Sequence, residues 1–314
     1  MNASKTALIL GATGGAGGEI AAALLRRGWT VRALVRNAVR PGLDPRIDWR
    51  TGDALQAGDV LQAAAGVDVL VHAVNPPGYR DWDTLALPML DNSLAAARAN
   101  GARLVLPGSI YNYGPDAFPL LAEDDPQRPL TRKGAIRVAM ERRLAEATDV
   151  RSLILRCGDF FGPGARNNWF AEMIKPGRPV RSLLYPARHD LGHAWAYLPD
   201  VGETVARLLE REGELERFAR YHFAGHYVDG DALLAATRRA TGNPALRLRA
   251  FPWWLTWLAG PFVVLLREVR EMRHLWREPL QLDNRKLLAR LGEEPHTPLD
   301  QAVAATLRGF GCLP

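Results

Sequence analysis

The chain has 314 residues, 47% of them hydrophobic, and a formal net charge of +6, a length that suits one main domain with a smaller appendage. Its basic residues are arginines scattered among Ala, Leu and Gly, with only four lysines (Lys5, Lys133, Lys175, Lys286), which argues against a clustered phosphate-tracking stripe and against nucleic acid as a partner. The 2 cysteines, Cys157 and Cys312, lie far apart without C-x-x-C spacing; they suggest neither a disulfide framework nor a metal site and fit a reducing, cytoplasmic compartment.

In chain order, the apolar run Thr6 to Leu10 predicts a first strand, feeding directly into a glycine loop and not into a signal-peptide cleavage site. Gly15 to Arg27 predicts a helix, Thr30 to Val35 a second strand and Ile47 to Arg50 a third. A helix over Leu55 to Ala65, a strand over Val67 to His72, a long helix over Asp83 to Asn100 and a strand over Arg103 to Leu106 follow. Further on come a helix at Arg132 to Ala147 and a sixth strand at Arg151 to Arg156. From about Trp169 the pattern turns irregular, with helices expected at Asp200 to Glu212, Asp229 to Thr241 and near Leu299 to Gly309, and a strand at Tyr221 to Ala224. This alternation predicts an α/β fold, a doubly wound parallel sheet with right-handed crossovers, plus a smaller C-terminal substrate lobe. The expected division is residues 1–165 with a return segment near 189–225, and an interleaved lobe over 166–314.

The loop after the first strand reads Gly11-Ala12-Thr13-Gly14-Gly15-Ala16-Gly17-Gly18. Glycines at Gly11, Gly14 and Gly17 permit a tight turn, backbone approach to a pyrophosphate and close packing of helix on strand. The helix N-terminus then offers free N–H groups to phosphate. In this strand–loop–helix context the motif points to a Rossmann dinucleotide site formed by Gly11, Thr13, Gly14, Gly15, Ala16 and Gly17. The second strand ends in Val35-Arg36-Asn37 without an acid. Arg36, with help from Arg32 or Arg40, suits a 2′-phosphate, because the guanidinium fork matches phosphate geometry; the cofactor expected is NADP.

These residues resemble the extended short-chain dehydrogenases/reductases, the family of nucleotide-sugar epimerases and dehydratases, over roughly residues 5–240. The resemblance implies that Asp53, with Ala54 beside it, meets the adenine, and that Ala73 and Val74, closing the Val71-His72-Ala73 segment, lie under the adenosine. Gly108-Ser109-Ile110-Tyr111-Asn112-Tyr113-Gly114 resembles the family's serine-rich turn, which puts Ser109 at the catalytic serine position, and Tyr197-Leu198-Pro199-Asp200 resembles its His-Val-x-Asp segment. The family's Tyr-x-x-x-Lys pair is missing. The equivalent helix reads Thr131-Arg132-Lys133-Gly134-Ala135-Ile136-Arg137, so Lys133 replaces the tyrosine and Arg137 the lysine, and none of the 7 tyrosines is followed by lysine four residues later.

Lys133 and Arg137 share one helix face, and Glu141, one turn on, is placed to pair with Arg137. Tyr111 or Tyr113 could line the pocket; His193, Trp195 and Tyr197 alternate on one face, as core or as cavity wall. The apolar stretch Trp253 to Leu266, broken at Gly260-Pro261, reads as two short helices in the core or at a homodimer face, with a substrate lid or membrane-surface contact as alternatives. No segment reaches the roughly 18 apolar residues that span a bilayer. The expected activity is an NADP-dependent oxidoreductase or isomerase on a small molecule, with Ser109, Lys133 and Arg137 in the catalytic positions and Lys133 and Arg137 also expected to contact the cofactor. The alternatives are a non-catalytic NADP-binding regulator and a nucleotide-sugar epimerase, for which Arg166, Arg178 and Arg181 would hold the diphosphate.

Overall fold

The computed structural model describes residues 4–37, 42–76, 81–165, 168–259 and 264–313. Strand β1 (Thr6–Leu10) leads into helix α1 (Gly15–Arg26), followed by β2 (Thr30–Val35), β3 (Asp48–Thr51), α2 (Ala57–Ala63), β4 (Val69–His72), α3 (Trp82–Asn100) and β5 (Arg103–Ser109). A short strand β6 (Leu120–Leu121) precedes α4 (Arg132–Glu146), β7 (Ser152–Cys157), β8 (Asp159–Phe161), α5 (Trp169–Ile174), β9 (Leu183–Tyr185), β10 (His193–Tyr197) and α6 (Leu198–Glu210). The remainder is β11 (Phe218–Phe223), β12 (His226–Val228), α7 (Gly230–Thr241), β13 (Leu248–Ala250), α8 (Trp253–Ala259), α9 (Val264–Glu271), β14 (Gln281–Leu282), α10 (Arg285–Leu291) and α11 (Leu299–Gly309).

Among the described residues, seven strands form one parallel sheet in the order β11-β7-β5-β4-β1-β2-β3. The doubly wound Rossmann architecture expected from the alternation is therefore present. Because side chains alternate along a strand, β1 feeds both faces. Ala7 and Ile9 pack with Ile20 and Leu24 of α1 and Val205 of α6, whereas Leu8 and Leu10 pack with Val60 of α2, Leu90 of α3 and Met140 of α4. Burial on both faces is why the central strands read as continuous apolar runs. Helices α1 and α6 cross closely at Gly202, where a Cβ would lie 2.5 Å from the Glu19 carbonyl oxygen.

A third core gathers Phe161, Phe170, Trp195, Trp276 and Leu307. It lies under smaller sheets, β12-β10-β8, β13-β9 and β14-β6. Pairing of β6 with β14 ties the turn before α4 to a strand near residue 281.

Strand β5 runs three residues past its predicted end, through Pro107-Gly108-Ser109. Beyond Val105 it no longer pairs with β4, and in that edge-like stretch a missing N–H is tolerated. Helices α5 and α10, read as irregular from sequence, are short and lack the length over which periodicity is visible. The Trp253–Leu266 stretch does form two helices, but core packing is corrected for α8. Trp254, Trp257 and Leu258 are 63%, 59% and 66% exposed, while Trp253 turns inward against Trp169 and Phe251.

Candidate functional site

Every strand of the large sheet points its carboxyl end to one edge, where doubly wound folds bind ligands. Gly11 follows β1 with φ +92°, and a Cβ there would lie 2.4 Å from the Ala73 carbonyl oxygen just beyond β4. At Gly17 a Cβ would come within 2.3 Å of the Gly11 carbonyl oxygen. Both positions thus exclude any side chain, which brings the loop backbone down onto the strand ends and α1 onto the loop. Gly14 caps α1 in extended conformation, its N–H donating to the Gly11 carbonyl at 2.9 Å, and no side chain caps the helix. The leading N–H groups of a helix lack intrahelical partners, and the first turn of α1 holds no acid. Thr13 is exposed at the lip, while Gly15 and Ala16 are half-buried. Burial raises the Glu19 carboxyl pKa, opposed by Arg26. The cradle fits a dinucleotide pyrophosphate.

Arg36 stands exposed just past β2, with no partner among the described residues. Arg32 is engaged elsewhere, bonding Asp48 at 3.3 Å and the Ala63 and Ala65 carbonyls at 2.5 and 3.0 Å; Arg40 lies outside the described residues. Asp53 follows β3, and its Oδ1 accepts from the Leu55 N–H at 3.0 Å, forming a local turn. Ala54 is buried, and Ala73 and Val74 are half-buried beyond β4. His72, at the end of β4, bonds Ser93 Oγ through Nδ1 at 2.8 Å. Burial, reinforced by the Arg137 charge, lowers its pKa to about 3.

Ser109 ends β5 and caps a short 3₁₀ turn over Ile110–Asn112, its Oγ accepting from the Tyr111 N–H at 3.4 Å. Helix α4 begins at a Thr131 cap whose Oγ1 accepts from the Gly134 N–H at 3.0 Å. A Cβ at Gly134 would lie 2.2 Å from the Tyr111 carbonyl oxygen, so this glycine lets α4 rest on the Ser109 turn. Lys133, beside that contact, is only 4% exposed. Arg137, one turn on, donates to Asn75 Oδ1 at 3.0 Å beyond β4 and lies over the Trp82 ring at 5.2 Å. The fold therefore docks the start of α4 onto the Ser109 turn and links Arg137 to the segment after β4.

Glu141 does not pair with Arg137. It receives Arg156 Nε at 3.0 Å and Nη2 at 2.6 Å, both residues buried. Tyr113 belongs to the same network: its hydroxyl accepts from Arg156 at 2.5 Å and donates to the Ala122 carbonyl at 3.2 Å. Burial raises the Tyr113 pKa far above the ordinary phenol range, which withdraws it as a proton carrier. Tyr111 packs against the third core. Of the residues considered for a sugar-nucleotide diphosphate, Arg178 and Arg181 are exposed and Arg166 lies outside the described residues.

The alternating strand β10 is wholly buried. His193 Nε2 donates to Asp159 Oδ2 at 2.7 Å, and Tyr197 has its pKa raised by burial to about 12. Asp159 begins β8 immediately past the carboxyl end of β7. Gly158 makes this possible, since a Cβ there would meet the Ala194 carbonyl oxygen at 2.1 Å. Neither the Asp159–His193 pair nor the stacking of Trp276 on His193, with centroids 3.9 Å apart, was anticipated from sequence. The partners come from segments with no shared motif.

Residues 11–178, more than half of the chain, match the model of a family described as NAD(P)H-binding. A 3-diazoavenalumate denitrifying reductase from a Streptomyces species is 34% identical over 191 residues, covering 54% of this chain and 62% of that protein. A dTDP-6-deoxy-L-talose 4-dehydrogenase (NAD(P)(+)) of Kitasatospora kifunensis is 30% identical over 168 residues, 50% of this chain and 52% of its own. The chain thus matches less than two thirds of the length of either relative. The solved structure of UDP-glucuronic acid 4-epimerase from Bacillus cereus, in complex with UDP-glucuronic acid and NAD, superposes with a TM-score of 0.75 at 16% identity, covering 97% of this chain and 98% of that one.

Proposed function

Because the chain belongs to the NAD(P)H-binding family and has the fold of the extended short-chain dehydrogenases/reductases, we propose that it is an NADP-dependent oxidoreductase or isomerase of a small molecule in which Lys133 stands in for the missing tyrosine. The observation that carries this reading is the burial of Lys133, 4% exposed, where α4 docks on the Ser109 turn. Lysines are almost never fully buried unless paired. The names of both curated relatives, a reductase and a 4-dehydrogenase, support oxidoreduction.

In this reading residues 1–165, with the return segment near 189–225, hold the dinucleotide, and 166–314 form the substrate lobe. Backbone N–H groups of Gly11, Thr13, Gly14, Gly15, Ala16 and Gly17 bind the pyrophosphate. Arg36 binds the 2′-phosphate, Asp53 and Ala54 meet the adenine, and Ala73 and Val74 lie under the adenosine. A nicotinamide dinucleotide supplies the hydride donor or acceptor. Lys133 Nζ gives a proton to the substrate oxygen that Ser109 Oγ orients. Arg137, permanently charged, cannot serve as a base; it holds the nicotinamide ribose. A second reading, a non-catalytic dinucleotide-binding regulator, is favoured by the absence of any Tyr-x-x-x-Lys pair.

Two experiments test the first reading and its cofactor. Lys133→Met and Ser109→Ala, assayed for hydride transfer, are expected to lose about 10²–10⁴-fold in kcat while dinucleotide affinity holds; full activity in Lys133→Met removes the lysine from the mechanism. Arg36→Asp is expected to weaken NADP binding by about 2–4 kcal/mol in calorimetry. Equal affinity of the unaltered protein for NAD and NADP overturns the cofactor assignment.

A further inference from the structure

Within residues 166–314 five rings hold buried nitrogens without a partner among the described residues; His226 Nε2 and His274 Nε2 are two of them, and the other three, His193 Nδ1, Trp195 Nε1 and Trp276 Nε1, belong to one group. These three rings are mutually packed. His193 stacks on Trp276 with centroids 3.9 Å apart, and Trp195 lies 5.6 Å from each. All three residues are at most 2% exposed. A buried polar atom left unmatched costs roughly 1–3 kcal/mol, and three on touching rings are not expected of a core whose only task is packing.

The chemistry of the three nitrogens is specific. Asp159 accepts from His193 Nε2 at 2.7 Å, which fixes the proton on that nitrogen and leaves Nδ1 as an acceptor. The two indole nitrogens can only donate. A group that satisfies both kinds at once both donates and accepts, which a water or a ligand hydroxyl does and a carboxylate or an ether does not. Among the described residues no lysine or arginine hydrogen-bonds these rings or Asp159, and the buried Asp159 carboxylate would repel a phosphate. Asp159 opens β8 directly after β7, at the ligand-binding edge of the sheet, and Tyr111 of the Ser109 turn packs against the same core. We propose that Asp159, His193, Trp195 and Trp276 form a subsite that binds the hydroxyl of a planar, uncharged ligand, such as a phenol. The assignment rests on the reading above only in taking this edge to be where a small molecule acts. Entry requires local opening. The wall that yields is the 3₁₀ segment Met272–Trp276, which belongs to no sheet.

The test uses the full chain with saturating NADP and titrates phenol, anisole and benzoate, following indole fluorescence and heat. Phenol is expected to bind and to perturb the emission, with anisole and benzoate at least about tenfold weaker, the worth of one or two hydrogen bonds. His193→Phe should abolish the preference for phenol over anisole. Because that variant leaves Asp159 unpaired and could unfold, Trp195→Phe/Trp276→Phe, which keeps the aromatic packing and removes both donors, should abolish it as well. Equal binding of phenol and anisole by the unaltered protein, no binding of phenol at all, or a preference that survives in the double variant overturns the subsite. A protein that binds phenol selectively but not NADP overturns the proposed function and leaves the subsite standing.

Discussion

Arg156 and Asp159 flank the Cys157-Gly158 step, and each anchors a buried polar network, yet the two networks are finished to different degrees. Around Arg156 every listener has a speaker. Its Nε and Nη2 donate to Glu141, and its Nη1 reaches the Tyr113 hydroxyl, the Glu123 carbonyl at 2.9 Å and His222 Nε2 at 3.2 Å. Gln127 Nε2 donates to Glu141 at 3.0 Å, and His222 Nδ1 donates to the Leu121 carbonyl at 3.1 Å. Around Asp159 the chain of bonds stops after one link among the described residues, with three neighbouring ring nitrogens unmatched. Completed networks fix a structure; unfinished ones are where a ligand has something to add.

The sharpest way to break this contrast is to cut the finished network. Arg156→Met leaves Glu141 buried without its cation, and denaturant unfolding should register a loss of about 3–5 kcal/mol; a change below about 1 kcal/mol would show that the network carries little. Acid is the next lever. Burial, aided by Arg156, lowers the His222 pKa to about 3, and burial, aided by His296, lowers that of His226 to about 4. The folded state therefore holds these rings neutral, while the unfolded chain takes up protons near pH 6.5. Below that pH the unfolded state binds more protons, so stability is full above about pH 6.5 and falls progressively as the pH drops toward these lowered values. Thermal melts between pH 7 and 4 should show this slope, and His222→Gln should flatten it. The smallest effect is expected in the unfinished network. Trp276→Phe removes an unmatched donor, which offsets part of the lost ring area, so stability should move by less than about 1 kcal/mol. A loss comparable with that of Arg156→Met would make both networks equally structural.

The Rossmann half was legible because its determinants are local. A glycine at positive φ, a cap, a breaker such as Gly101 and an apolar run each act over a few residues, and so β1, β2 and the start of α1 fall where the pattern puts them. The cradle of Gly11, Gly14 and Gly17 and the absence of an acid after β2 were likewise readable in the order of residues. The side-chain networks were not. Glu141 looked like a partner for Arg137 one turn away, but Arg156, fifteen residues along the chain, reaches it through the gap that Gly108 leaves, where a Cβ would lie 2.8 Å from Arg156 Cγ. His193 meets Asp159 only because β10 pairs in parallel with β8 in a register that sets Trp195 opposite Asp159, and Trp276 arrives from a segment with no motif at all. The sequence by itself determined the dinucleotide fold and the loss of the tyrosine, since backbone conformation and periodicity are written residue by residue. The tertiary structure alone decided which buried charges meet and which ring nitrogens go without a partner, because strand register and close approach at glycine, not chain proximity, set those contacts.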